Sequence, residues 1–399
     1  MSLQDDPARA ATGPQPNGSA EGSHGAGVRV AVDAMGGDHG AAEVVPGAVA
    51  YAAANAEDTV ILVGDTPVIE RLAPVASRPA NVRIVHAAEV IGMDEHPALA
   101  LREKKDASIL VATDLVRKGE ADAVVTAGHT GAGMAAAVLR LGRLKGVDRP
   151  GLAIQIPSGG RPFVLLDIGA NPDSTAENLA QYARMGAIFS ERVLGVERPR
   201  VALLSIGEEK GKGEARVQRA TELIDETNLN FVGNVEGKDL TRQLADVVVC
   251  DAVLGNVVIK FFEGLSGFIF DLFRAEFRGS LRGRLAYLLL RPGIGRIRQV
   301  FDYEIVGGSP LLGVRGAVII THGRAKRRMI EHAVRVGATT ARERVPERIA
   351  EALAADALAE AQAGLAEAHT LGRASDVEDA LAASGEPEDQ GAAVAPERR

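Results

Sequence analysis

The chain has 399 residues, with 45 Lys and Arg against 53 Asp and Glu, and a formal net charge of −8. At 46% hydrophobic and 25% charged it can bury a large core, and its acidic balance argues against general nucleic-acid binding while allowing local basic patches. Its single cysteine, Cys250, ends an apolar run, which excludes an intramolecular disulfide framework and a cysteine metal cage and leaves core packing as its expected role.

Residues 1–27 are rich in Ala, Gly, Pro and Ser and lack the basic and apolar regions of a signal peptide, so a disordered tail and a cytoplasmic location are expected. From Val28 one pattern recurs: a short β-branched apolar run, a loop of Gly, Asp and Asn, then a stretch of helical length. Strands are expected at Val28–Val32, Val60–Val63, Val82–Val85, Ala123–Thr126, Ala153–Ile156, Phe163–Leu166, Val201–Ser205, Phe231–Gly233, Ala245–Cys250 and Ala317–Thr321. Such continuous apolar runs imply burial on both faces, hence an α/β fold with a large, mostly parallel sheet and helices on both faces. One domain over 28–345 is expected, with a helical excursion at 256–302, a C-terminal helix at 346–368 and a second disordered tail at 369–399.

The loops after these strands are unusual as a set. The first runs Asp33-Ala34-Met35-Gly36-Gly37-Asp38-His39-Gly40, and reads equally as a tight turn with a capping Asp or as an anion site. Later ones are Ala127–Gly133, Asp167–Asn171, Gly207–Gly213, Asn234–Gly237, Asp251–Asn256 and Thr321–Gly323. Each alone is compatible with a cap or a turn. If the sheet is parallel, all of them face one edge and together make an active-site rim. Thr130, at a glycine-rich helix start, and Lys212, beside its glycines, are the best generic anion ligands. Familiar motifs fail. The Lys212 loop has its glycines one residue too close for a Walker A, and Gly213 replaces the hydroxyl residue. No Gly-x-Gly-x-x-Gly follows a strand, and neither a full Gly-x-Ser-x-Gly elbow nor a His-Glu-x-x-His occurs.

Val257–Arg278 holds six of the chain's 10 phenylalanines, with Lys260, Glu263, Asp271, Arg274 and Arg278 recurring at helical spacing. Arginines continue at 282, 284, 291, 296 and 298. A buried core or dimerisation helix fits this pattern. So does an amphipathic device touching membrane, an acyl chain or an acidic partner, with Phe261, Phe262, Leu265, Phe268, Ile269, Leu272 and Phe273 as contacts. Lys260, Glu263 and Asp271 break the run below the roughly 18 apolar residues of a membrane span.

Val-Asp-Ala-Met-Gly-Gly-Asp-His from Val32, Arg102-Glu103-Lys104-Lys105-Asp106, the Ala127–Gly131 loop, Asp167–Asn171, Ile206–Glu209, Gly233–Gly237, Gly255–Val258, Gly307–Gly313 and His322-Gly323 occur in an order that resembles the bacterial phosphate acyltransferases of phospholipid synthesis. The match spans about 28–345. His129, where an Asn is usual, Ala252, where a second Gly is frequent, and Glu103, where a basic residue is common, depart from the family pattern. The resemblance implies a Rossmann-like sheet similar to those of phosphate acetyltransferase and isopropylmalate dehydrogenase. It also implies reversible transfer of a fatty acyl group from acyl-(acyl carrier protein) to inorganic phosphate. Acyl phosphate would then feed a membrane glycerol-3-phosphate acyltransferase. A homodimer peripherally associated with the inner face of the cell membrane, needing no cofactor or metal, completes the expectation.

That chemistry needs two reactants positioned and an oxyanion stabilised, with no covalent nucleophile. Loop N–H groups with Thr130, Lys105 or Lys212 would hold phosphate or oxyanion, and His39 would move a proton, so His39, Lys105 and Lys212 are the catalytic candidates. Candidate substrate-binding residues are Asp33, Gly36, Gly37, Asp38, Thr126, Gly128, His129, Thr130, Gly131, Asp167, Gly169, Asn171, Glu208, Asn234, Asn256 and His322. Arg274, Arg278, Arg282 and Arg284 are a candidate dock for the acidic carrier. Two other classes fit the fold pattern: a nicotinamide-dependent decarboxylating dehydrogenase and a non-catalytic acyl-carrier or lipid-binding protein.

Overall fold

The computed structural model describes residues 27–158, 160–209, 211–300, 307–359 and 362. The expected tails at 1–27 and 369–399 therefore lie outside the described residues, Gly27 apart. Of the helix expected at 346–368, residues 345–359 and 362 are described and are helical.

Eleven strands among the described residues form one sheet: β1 Arg29–Asp33, β2 Thr59–Gly64, β3 Val82–His86, β4 Ala123–Thr126, β5 Gly151–Ile156, β6 Phe163–Leu166, β7 Arg200–Leu204, β8 Asn230–Val235, β9 Val247–Val249, β10 Ser309–Leu312 and β11 Ala317–Ile320. The ten expected strands are present with ends within two residues of those expected, and β10 is additional. The spatial order is β3-β2-β1-β4-β11-β10-β5-β6-β9-β7-β8. The ladders β5–β6, β5–β10 and β10–β11 are antiparallel and the other seven parallel.

Those three central ladders decide where the site lies. Followed through them, β1, β2, β3, β4 and β11 run one way, while β6, β7, β8 and β9 run the other. The loops after the strands therefore do not share one edge, as a fully parallel sheet would require. The loops after β1, β4 and β11 meet at one end of their half. Those after β6, β7, β8 and β9 emerge from the opposite direction, and only some of them reach the middle.

Helices cover both faces: α1 Ala41–Ala54, α2 Thr66–Leu72, α3 Pro97–Glu103, α4 Ser108–Arg117, α5 Thr130–Arg140, α6 Ala176–Leu194, α7 Ala215–Asp225, α8 Ala252–Gly279, α9 Leu281–Val300 and α10 Arg327–Arg342. Residues paired across a sheet point to the same face. Val32, Val125 and Ile319 face α1 and α10, while their along-strand neighbours Ala31, Val124 and Ile320 face α4 and α5. In the other half Leu166, Val249 and Leu203 face α6 and α7, and Leu165, Val248 and Leu204 face α8. Helices α5 and α8 thus lie on the same side of the sheet, one over each half. Between them, among the described residues, no helix covers the central strands.

Helix α8 is anchored at its start. Asp251 Oδ1 accepts the N–H groups of Val253 (2.9 Å) and Leu254 (3.0 Å), and Arg216 Nη2 donates to Asp251 Oδ2 at 3.2 Å. Gly255 then lets the first turn sit on the end of β6: a Cβ there would lie 2.0 Å from the Asp167 carbonyl oxygen. By length and composition α8 is apolar enough to cross a membrane, despite its charged residues. Its N-terminal part packs on the sheet through Ala252, Gly255 and Ile259, and from Gly267 onward it is largely exposed.

Candidate active site

A cleft of about 760 Å³ occupies the gap between α5 and α8. Leu152 and Ile154 of β5, Ile320 of β11 and Ile168 after β6 give it an apolar floor, with Ser309 of β10 among them. One wall is the face of α8 carrying Val253, Asn256, Val257, Lys260 and Glu263; the other holds Asp38, Met93 and Thr130, and His322, Gly323 and Arg324 form the rim.

Backbone packing brings these pieces together. A Cβ on Gly36 would lie 2.7 Å from the amide nitrogen of Gly128, so only glycine lets the loops after β1 and β4 approach this closely. Asp38 N donates to Gly323 O at 2.8 Å, tying the β1 loop to the β11 loop. Beneath them Asp33 is buried, accepting the Ser108 hydroxyl on Oδ1 (2.6 Å) and the Thr126 hydroxyl on Oδ2 (2.7 Å). Burial pushes its carboxyl above the ordinary range, with the Ser108, Thr126, Met35 and Gly36 hydrogen bonds opposing. Thr126 Oγ1 also accepts Gly128 N at 3.0 Å. His129 caps α5 through Nδ1, which accepts Gly131 N at 3.0 Å, the service an Asn side chain performs in the same position.

Asp167 plays the bracing part in the second half. It accepts Leu152 N, Gly169 N and Ala170 N on Oδ1 at 2.9–3.0 Å, and Asn171 N on Oδ2 at 2.8 Å. Burial outweighs these four donors and raises its carboxyl. The Asn171 amide is itself buried against Asn178 Oδ1 (3.2 Å) and Tyr182 Oη (3.4 Å). Cys250 is buried, as expected, and its thiol is pushed up by burial.

Of the expected site residues, Asp38, Thr130, Gly169, Asn256 and His322 line the cleft. Asp33, Thr126, Gly128 and His129 line a small adjoining pocket behind the first loop. His39, Lys105 and Lys212 are exposed and outside the cleft lining, and Lys105 Nζ lies 3.4 Å from Leu101 O. Glu208 pairs with Lys238 at 3.6 Å, and Asn234 donates to Glu209 O at 3.2 Å, both also outside that lining. Lys212, Glu208 and Asn234 lie after β7 or on β8, the two outermost strands of the second half, farther from the centre than β6 and β9, whose following residues Gly169 and Asn256 reach the cleft. Among the described residues no group of three or more His, Cys, Asp or Glu side chains gathers to hold a metal ion.

On α8, Phe261, Leu265, Phe268, Leu272 and Phe273 are exposed, whereas Phe262 packs against the core and Ile269 is half-buried. Phe273 and Phe277 stack at 6.3 Å, and Phe277 meets Tyr287 of α9 at 5.6 Å. Arg274, Arg278, Arg282 and Arg284 are all exposed, with Arg274 paired to Asp271.

Lys260 is a cleft residue that the sequence pattern does not mark. It belongs to the cleft because Asn256, Lys260 and Glu263 are spaced i, i+4 and i+7 and share one helix face. Lys260 Nζ lies 2.9 Å from Glu263 Oε2 and 3.4 Å from His322 Nε2. His322 Nδ1 accepts the Arg324 N–H at 3.1 Å. Burial, then the Lys260 charge, hold the His322 imidazole below its ordinary pKa.

A family model described as "Fatty acid synthesis protein" matches residues 28–348. A phosphate acyltransferase of Desulfitobacterium hafniense is 49% identical over 312 residues, 77% of this chain and 92% of that one. One from Brevibacillus brevis is 43% identical over 336 residues, 84% of this chain and all of its own length. The chain belongs to the phosphate acyltransferase family. It is an acyltransferase of lipid biosynthesis, as its sequence resemblance implied. Its fold is similar to that of a phosphotransacetylase from Streptococcus pyogenes (TM-score 0.54, 18% identity, 79% of this chain and 94% of that one). The EutD phosphotransacetylase from Staphylococcus aureus is comparable (TM-score 0.52, 16% identity, the same coverage).

Proposed function

We propose that the chain reversibly transfers a fatty acyl group from acyl-(acyl carrier protein) to inorganic phosphate, with the α5–α8 cleft as the reaction site. The observation that carries this reading is the cleft's composition: an apolar floor and a donor-rich rim within one space of about 760 Å³, in a chain of this family. A phosphate oxygen attacks the thioester carbonyl carbon. A C–O bond forms, the C–S bond breaks with its electron pair leaving on sulfur, and the proton of hydrogen phosphate ends on the released thiol. The cleft's contribution is to hold the two anionic oxygens, on phosphate and on the developing tetrahedral centre, close to fixed donors. Asp33 and Asp167 act through the backbone, setting the loops that form its walls.

The exposed arginines at the end of α8 and the start of α9 suit an acidic carrier protein, and the exposed Phe261, Leu265, Phe268 and Leu272 suit a membrane surface. In this reading the enzyme works as a homodimer on the inner face of the cell membrane, where acyl phosphate passes to a glycerol-3-phosphate acyltransferase. The test is to supply acylated carrier protein with and without phosphate and to follow free thiol and acyl phosphate. Thiol release in step with phosphate supports the reading. Release independent of phosphate, or none, overturns it.

A further inference from the structure

We infer that Lys260 and His322 are the phosphate ligands of the cleft, a role that rests on phosphate being the acyl acceptor. Because His322 Nδ1 accepts the Arg324 N–H, a neutral ring carries its proton on Nε2. That Nε2–H lies 3.4 Å from the Lys260 ammonium, so two donors converge on one point of the cleft. Neither is an acceptor for the other. An anionic oxygen placed between them accepts from both.

Glu263 fixes the ammonium without exhausting it. Its Oε2 takes one of the three Nζ protons at 2.9 Å, leaving two for a ligand. Arg324 stands on the same rim, and Thr130 opens the 11-residue helix α5 in the same cleft, so positive potential surrounds the converging pair. The carboxylates facing the space, Asp38 and Glu263, set a limit on it: the pocket favours a ligand that brings its own negative charge to the Lys260 side. Lys260 also reaches the cleft from the same helix face as Asn256, while the exposed Phe261, Leu265, Phe268 and Leu272 lie about 80–140° around the helix from it. The lysine thus borders the cleft and stands apart from the exposed apolar stripe of α8.

The test separates phosphate binding from turnover. Inorganic phosphate is titrated into the full chain at constant ionic strength without acyl donor, and binding is read from phosphorus NMR line width and from the shift in melting midpoint. Wild type is expected to bind, Lys260→Met at least about tenfold more weakly, and Lys260→Arg within about threefold of wild type. His322→Gln, whose amide NH₂ can replace Nε2–H, should retain binding that His322→Leu loses. In the thiol-release assay, Lys260→Met should raise KM for phosphate by a similar factor and leave KM for the acylated carrier within about twofold. No phosphate binding by wild type, or equal binding by wild type, Lys260→Met and His322→Leu, overturns the assignment. If binding is lost in the variants while wild type releases no thiol, the ligand assignment stands and the proposed reaction fails. If thiol release depends on phosphate but binding ignores both variants, the reaction stands and the assignment fails.

Discussion

Asp167, buried behind the Ile168–Gly169 part of the cleft, and Lys260, on its α8 wall, meet opposite electrostatic conditions. The Asp167 carboxylate is buried and takes four backbone N–H groups, so all its capacity is spent inside the protein. Lys260 is exposed to the cleft, holds one carboxylate and points its remaining protons toward a second donor. In the sequence Asp167 stands in a glycine loop and Lys260 in a phenylalanine-rich helix. What separates scaffold from site here is whether the polar group is already saturated by the fold.

Removing a saturated group should cost stability, and removing an unsaturated one should cost binding. Asp167→Ala leaves four buried or half-buried N–H groups without their acceptor and is expected to lower unfolding free energy by about 3–4 kcal/mol, read from the urea midpoint. A loss below about 1 kcal/mol would erase the distinction. A smaller effect, about 2 kcal/mol, is expected for Asp58→Asn in the first half. There burial pushes the carboxyl up, but the Tyr51 hydroxyl (2.5 Å), Arg342 (2.7 Å) and Val28 N (2.9 Å) outweigh it and hold it below the ordinary range. With the folded value depressed, this contribution is complete above the unfolded carboxylate value near pH 4 and disappears as pH falls through the folded one. The stability difference between wild type and Asp58→Asn should therefore shrink below about pH 4, and a gap that widened on acidification would contradict the assignment.

Lys260→Met, by contrast, should change stability by no more than ~0.5 kcal/mol while abolishing most phosphate affinity. The Phe261→Ala, Phe268→Ala double variant is expected to unfold within ~0.5 kcal/mol of wild type and to leave anionic vesicles several-fold more readily in co-sedimentation. Equal partition would remove the membrane reading. His39→Ala should have the smallest consequence, with kcat/KM within about threefold of wild type, because His39 is exposed and outside the cleft lining.

The strands were legible because their β-branched runs are short, apolar and bounded by glycine and Asp. β10 was not: Ser309-Pro310-Leu311-Leu312 is four residues with a proline, set between glycines, and reads as a turn. The reversal of direction had a visible signal. Only residues 157–162, including two prolines and two glycines, separate Ile156 from Phe163, too few for a parallel crossover and suited to a hairpin. Reading that connection as a hairpin would have divided the loops between the two halves. For the site, the glycine loops pointed to Asp38, Thr130 and His322, all of which line the cleft. Lys260 was hidden because a lysine in a phenylalanine-rich helix looks like its solvated face, and only the tertiary position of Gly255 against Asp167 turns that face inward.

The close seat of Gly255 on the Asp167 carbonyl gives α8 a mechanical character. Its 28 residues make a rod roughly 40 Å long, fixed near one end and projecting from the body at the other. Geometry alone then relates the two ends. A tilt of about 10° around Gly255 sweeps the Gly279 end through roughly 6 Å and carries the Lys260 backbone about 1 Å. Were the helix to tilt about that seat, the ammonium beside His322 would move about one fifth as far as the distal end.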